Sequence, residues 1–130
     1  MSQNVSDRLI LKEIYNLYLD EFKLFEEGSR ANKIYVPIDC ELVAKKLKMD
    51  PDIFFGRLYY HLEKKYGYKQ VDGSDVNLFC LEIDGDLHVV HFPLLSAVLA
   101  DEEKSFLRFS SPIVLSLVAL GISLFALVTK

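Results

Sequence analysis

Three histidines and two cysteines are the residues in this 130-residue chain best suited to hold a metal or move a proton. His88 and His91 bracket Val89-Val90 at a spacing of three. On a strand that spacing puts the two rings on opposite faces, so they cannot share a metal. If the chain turns at Asp84-Gly85, Cys80 and His91 share one face of a hairpin, yet two ligands do not make a zinc site. Cys40 and Cys80 lie far apart and in no Cys-x-x-Cys spacing, a usage that suits a reducing compartment. His61 stands alone. No Ser/His/Asp spacing and no glycine-rich phosphate loop is present, and Glu102-Glu103 read as a solvated face rather than an acid/base pair. The sequence therefore implies no metal, no cofactor and no enzymatic activity.

The stretch with the largest consequence has no chemistry in it. Ile113 to Thr129 are seventeen residues without a charge. At about 1.5 Å per residue they cover roughly 25 Å, at the short end of what crosses the roughly 30 Å hydrocarbon layer. A helix apolar all round must be surrounded by apolar material, and the remaining ~110 residues form too small a core to enclose one. The segment reads as a transmembrane tail anchor over 112–130, and the N-terminus lacks a signal-peptide pattern. Lys104 and Arg108 precede the span and only Lys130 follows it, which favours a cytoplasmic N-terminal side. Ser116, Ala119, Ser123 and Ala126 fall at spacings of three, four and three, a stripe of small residues. Small residues let membrane helices approach closely, so a left-handed homo-oligomer is expected through this stripe.

Charge is segregated in what precedes the span. Residues 1–69 hold 12 Lys/Arg and 11 Asp/Glu, whereas residues 70–103 hold eight acids and no Lys or Arg. That second half cannot supply the basic face a nucleic acid requires. The cations cluster as Lys45, Lys46, Lys48, Lys64, Lys65 and Lys69. Beyond a solvated face, such a cluster suits an anionic membrane surface, or single-stranded nucleic acid stacked on the tyrosines among the lysines.

The elements that must position these groups follow from periodicity. Ile10, Ile14, Leu17, Tyr18, Phe22 and Phe25 form one apolar stripe, predicting a helix from Asp7 to Glu27, capped by Ser6 or Asp7 and ended by Gly28. Residues 33–37 read as a short strand that Pro37 confines to an edge. Asp39 caps a helix over Cys40 to Leu47 with Leu42, Val43 and Leu47 inward. After a tight turn at Lys48-Met49, Asp50 caps a third helix with Pro51 in its first position. That helix runs to about Tyr66, buries Phe55, Leu58 and Leu62, and ends at Gly67. Two strands, Asn77 to Ile83 and Asp86 to Phe92, flank Asp84-Gly85, a type I′ hairpin signal. An amphipathic linker helix over 94–111 leads to Ser111, placed to cap the membrane helix at Pro112. The domain plan is thus 1–93 soluble, 94–111 linker and 112–130 tail.

Residues 40–51, CELVAKKLKMDP, followed by Arg57-Leu58, Leu62, Gly67 and the hairpin, resemble the winged helix-turn-helix family over about residues 8–92. The resemblance implies an α+β fold with the Leu78–Phe92 hairpin as the wing. It implies a presented face on the third helix at Asp52, Gly56, Arg57, Tyr60 and Lys64. In members that bind DNA this helix enters the major groove and the wing touches the backbone. Here the wing carries Glu82, Asp84 and Asp86, which oppose phosphates, so docking of a protein partner is the expected use. The sequence therefore predicts a tail-anchored adaptor or regulator. Its rivals are a membrane-permeabilising effector of the defence or lysis type, triggered through the winged helix, and a membrane-tethered nucleic-acid sensor.

Overall fold

Caps and apolar stripes set the element boundaries. A computed structural model describes residues 5–26, 28–30, 32–83 and 85–128. Ser6 caps α1 (Asp7–Lys23) by accepting from the Leu9 N–H at 3.2 Å. The helix stops four residues short of the expected Glu27, which itself lies outside the described residues. Leu24 closes it by donating to the Asp20 carbonyl, and Gly28, at φ +91°, sits in the turn beyond. Strand β1 (Tyr35–Pro37) leads to α2 (Cys40–Lys46), where the Asp39 carboxylate accepts from Leu42 N–H. The Tyr18 hydroxyl accepts from Asp39 N–H at 2.7 Å, tying α1 to the start of α2. Lys48 takes a left-handed φ of 58° in the tight turn, and Met49 drops into the core.

The next helix is capped by the Asp50 carboxylate, which accepts from the Asp52 and Ile53 N–H groups. It runs as α3 (Pro51–Gly56), a π-helical turn (Arg57–Leu62), and α4 (Glu63–Tyr66). A two-stranded ribbon follows, β2 (Tyr68–Lys69) with β3 (Asp75–Val76), in a stretch with no apolar alternation to signal it. The main hairpin is β4 (Phe79–Ile83) and β5 (Asp86–His91). Ile83 opposite Asp86 leaves a two-residue loop, with Gly85 at φ +93°; Asp84 lies outside the described residues. Strand β5 is central in an antiparallel sheet of order β1-β5-β4, with Val90 facing both Val36 and Phe79.

Helix α5 (Phe92–Val128) completes the chain. The chain divides into Met1–Leu99 and Ala100–Lys130. In the first unit, Phe92, Leu95, Val98 and Leu99 join a core built from Ile10, Leu11, Ile14, Val43, Phe54, Leu58 and Leu62. This is mixed α+β architecture around a small sheet. In the second unit, the aliphatic side chains from Ile113 to Val128 are all at least half exposed, and the most apolar eighteen-residue window has mean hydropathy 2.4. This is one helix long and apolar enough to cross a membrane. No break separates a linker from it: Pro112 lies inside the helix rather than opening a new one, so Ser111 falls within the helix and not at the start of one. A proline forfeits a single backbone N–H, and the helix continues through that loss.

Two inward positions are corrected. Leu42 is 41% exposed, because the seven-residue α2 turns Val43 and Ala44 to the core. Phe54 rather than Phe55 is the fully buried ring of α3.

Candidate functional site

The helix over 51–66 presents four stripes, each stepping by four residues. Phe54, Leu58 and Leu62 are wholly buried in the core. Phe55, Tyr59 and Glu63 turn to the hairpin. The Phe55 and Tyr59 rings lie 4.5 Å apart, the Tyr59 hydroxyl donates to the Cys80 carbonyl at 3.0 Å, and one Glu63 carboxylate oxygen accepts from the Leu78 and Phe79 N–H groups at 2.6 and 2.7 Å. Arg57, His61 and Lys65 converge on Asp7 of α1. Asp52, Tyr60 and Lys64 are exposed, Tyr60 at 78%, with Gly56 half-buried on the same stripe.

The Asp7 cluster corrects one expectation. Arg57 is not on the presented face. Its guanidinium donates to the Asp7 carboxylate at 2.6 Å and to the Val5 carbonyl at 2.8 Å, and its side chain is 24% exposed. His61 Nε2 lies 2.8 Å and Lys65 Nζ 3.3 Å from the other Asp7 oxygen. Burial pushes the Asp7 carboxyl up, but the hydrogen bonds from Arg57, His61 and Lys65 outweigh it and hold the group below its usual value. The spacing of Arg57, His61 and Lys65 was readable in the sequence; their anion fifty residues upstream was not.

Glu63 is the other fixed carboxylate. Burial raises its pKa more than its two backbone hydrogen bonds lower it. Its geometry explains Gly67, which is expected to supply a left-handed cap. Gly67 instead has an ordinary φ of −65°, and a Cβ there would lie 2.5 Å from Glu63 Oε1 and 2.7 Å from the Glu63 carbonyl. Space, not φ, demands the glycine.

The basic patch divides into two groups. Lys45, Lys46 and Lys48 stand exposed at the end of α2 and in the following turn. Lys64 and Lys69 line a cleft of about 550 Å³ at the far end of the 51–66 helix, where Glu63 and Asp75 line it too and offset their charge. The helix between the groups is about 24 Å long at 1.5 Å per residue. Lys65 belongs to neither, being drawn to Asp7.

The histidines separate as the register requires. His91 Nδ1 accepts from Leu94 N–H at 3.1 Å and so caps α5; burial lowers its pKa. His88 takes a left-handed φ of 51° and meets the Phe55 and Tyr59 rings edge-on. Among the described residues, no three His, Cys, Asp or Glu side chains are placed to hold a metal ion. Burial, aided by Asp39, pushes the Cys40 thiol up to about 11, so it stays protonated and a weak nucleophile at neutral pH. Burial raises Cys80 as well.

In the second unit, the Ser116 hydroxyl donates to the Pro112 carbonyl at 2.9 Å. Ser116, Ala119, Ser123 and Ala126 are all exposed on the helix. Glu82 is exposed on β4, while Asp86 at the hairpin end is half-buried. No protein-family model, curated protein or solved structure matches this chain.

Proposed function

We propose that this chain is a single-pass, tail-anchored membrane adaptor. In this reading a cytosolic winged helix-turn-helix unit docks a protein partner on the outward stripe Asp52, Gly56, Tyr60 and Lys64. The observation that carries it is Tyr60, a large aromatic held 78% exposed on a helix whose other stripes are all engaged within the chain. Tyrosines exposed in this way are typical of interface anchors. The order helix, strand, two helices and hairpin, with strand order β1-β5-β4, supports the winged-helix reading. The π-helical turn beneath the stripe supports a functional use, since such turns recur at functional sites. Glu82 and Asp86 favour a protein over nucleic acid. The Lys104/Arg108 excess favours a cytosolic domain in this reading, and the small-residue stripe suits pairing of tails into a homo-oligomer.

The test is photo-crosslinking from position 60 in the full chain within its native membrane. A discrete protein adduct that Lys64→Glu or Gly56→Arg abolishes is expected. If position 60 yields no adduct, or one that neither substitution changes, the docking face lies elsewhere. Leu117→Arg with Leu120→Arg should move the chain from the carbonate-resistant membrane fraction to the soluble one; retention in the membrane would refute the anchor.

A further inference from the structure

We infer that the free edge of strand β4, from Leu81 to Ile83, takes up an extended cationic segment of a partner protein as an added strand. This site is separate from the Tyr60 stripe and independent of the membrane reading. The sheet order β1-β5-β4 leaves β4 with a neighbouring strand on one side only. The polar groups at its start are taken by side chains of the 51–66 helix. Glu63 accepts from the Leu78 and Phe79 N–H groups, and Tyr59 donates to the Cys80 carbonyl. That covering stops at Cys80. Among the described residues, nothing outside the hairpin hydrogen-bonds to Leu81, Glu82 or Ile83. Within the hairpin the pairing skips Leu81, where His88 across from it takes a left-handed φ of 51°. Leu81 is 57% exposed, and Glu82 is exposed beside it. A strand edge with unpaired N–H and C=O groups is a template for another strand.

Charge selects the occupant. Residues 77–100 hold the acids Glu82, Asp84 and Asp86 and no Lys or Arg. Glu82 is exposed on β4 itself, and Asp86 is half-buried at the hairpin end. The preceding β2–β3 ribbon sets Asp72 and Asp75 against Lys69, so counting it leaves the region acidic. A second copy of this chain paired through β4 would bring Glu82 and Asp86 of both copies together. Like charges directly opposite across strands are destabilising, whereas opposite charges attract. The edge therefore disfavours its own copy and suits a cationic strand. The pleat sets the pattern of that strand. Leu81 and Ile83 point to one face of β4 and Glu82 to the other. The added strand accordingly alternates, with apolar residues on the Leu81 face and Lys or Arg on the Glu82 face.

The probe is a short peptide alternating Lys and Val, added to the full chain in nonionic detergent micelles and followed by amide hydrogen exchange at single-residue resolution. Exchange should slow within Leu81–Ile83. Each cross-strand charge pair is worth up to about fivefold in affinity. Glu82→Lys turns an attraction into a repulsion, so it should weaken the Lys/Val peptide on the order of tenfold and strengthen a Glu/Val peptide by a similar factor. That gain also shows that the variant is folded. A Lys/Val peptide N-methylated at every second residue keeps its charge but loses the backbone donors, and it should give no protection. The inference is overturned if Leu81–Ile83 stay unprotected, if Glu82→Lys leaves both affinities unchanged, or if the N-methylated peptide binds as well as its parent. Protection over the 52–64 stripe instead assigns the peptide to that surface. Protection that rises with protein concentration and needs no peptide makes the occupant a second copy, and either result overturns the inference equally.

Discussion

The Asp7–Arg57 pair is the sharpest test of the geometry, because it decides whether Arg57 holds the fold or meets a partner. Both side chains are less than a quarter exposed, at 24% and 15%, and their contact is 2.6 Å. A hydrogen bond between charged groups contributes about 1.5–3 kcal/mol. The further links from Asp7 to His61 and Lys65 join side chains that are 49% and 46% exposed, so solvent screening reduces each to a few tenths of a kcal/mol. Arg57→Ala also frees the Val5 carbonyl. Each single substitution should therefore cost about 2–3 kcal/mol, a large share of the ~5–15 kcal/mol that holds a typical domain. For a unit of this size that is a fall in Tm of roughly 10–20 °C. The assay is urea and thermal unfolding of a soluble fragment ending at residue 103, which retains the core residues through Leu99.

The double substitution should cost little more than either single one, giving a coupling of about 1.5–2 kcal/mol. Acid should erase that coupling. The folded Asp7 pKa is lowered, so its contribution is complete above the ordinary carboxylate value near ~3.9 and is lost as pH falls through the lower folded value. Asp7→Asn should remove this acid dependence. If Arg57→Ala costs under about 0.5 kcal/mol, the range of ordinary surface changes, and shows no coupling to Asp7, then the anchor assignment is wrong and Arg57 returns to the presented face.

Gly67→Ala should destabilise by about 1–3 kcal/mol through its clash with Glu63, while Gly56→Ala, whose Cβ meets only Tyr60 at 3.6 Å, should stabilise by about 0.5–1 kcal/mol; equal effects in urea unfolding would refute the packing account. Glu63→Ala should cost about 2–3 kcal/mol by leaving the Leu78 and Phe79 N–H groups unpaired, whereas Glu63→Gln keeps an acceptor and should lose less than half of that. Tyr60→Ala should leave unfolding within about 0.5 kcal/mol of the parent while abolishing the crosslinked adduct's partner, as measured by pull-down with the full chain.

Local signals carried most of the architecture. Ser6, Asp39 and Asp50 each cap as their types and positions imply, and the Asp84-Gly85 signal placed the hairpin register correctly. The uncharged stretch announced the C-terminal helix. What stayed hidden depends on contacts distant in sequence. Asp7 reads as a helix-start acid until the 57–65 face arrives to meet it. Gly67 reads as a helix stop, and only the folded Glu63 side chain reveals that it is a space requirement. The β2–β3 ribbon is exposed on both strands, so no buried face imposes a period of two on Tyr68-Lys69 or Asp75-Val76. Asp52, Tyr60 and Lys64 are exposed as their helical spacing implies, whereas Arg57 is drawn to Asp7 by a contact that no local signal reveals.

The π-helical turn accounts for that division of labour. Four residues advance a regular α-helix by about 400°, so a four-residue stripe drifts by about 40° at each step. Over 54, 58 and 62 the drift would reach about 80°, toward the edge of the roughly 100° apolar face. Within Arg57–Leu62 the bonds run to the fifth residue, as when Glu63 N–H donates to the Leu58 carbonyl, and the wider turn takes up the excess. The same correction applies to every stripe at once. It keeps Phe54, Leu58 and Leu62 in the core, Phe55, Tyr59 and Glu63 on the hairpin, and Arg57, His61 and Lys65 on Asp7. The fourth stripe is held straight by those three without contributing to any of them. Substitution at Asp52, Tyr60 and Lys64 is therefore the way to test the proposed docking stripe with the least change in stability.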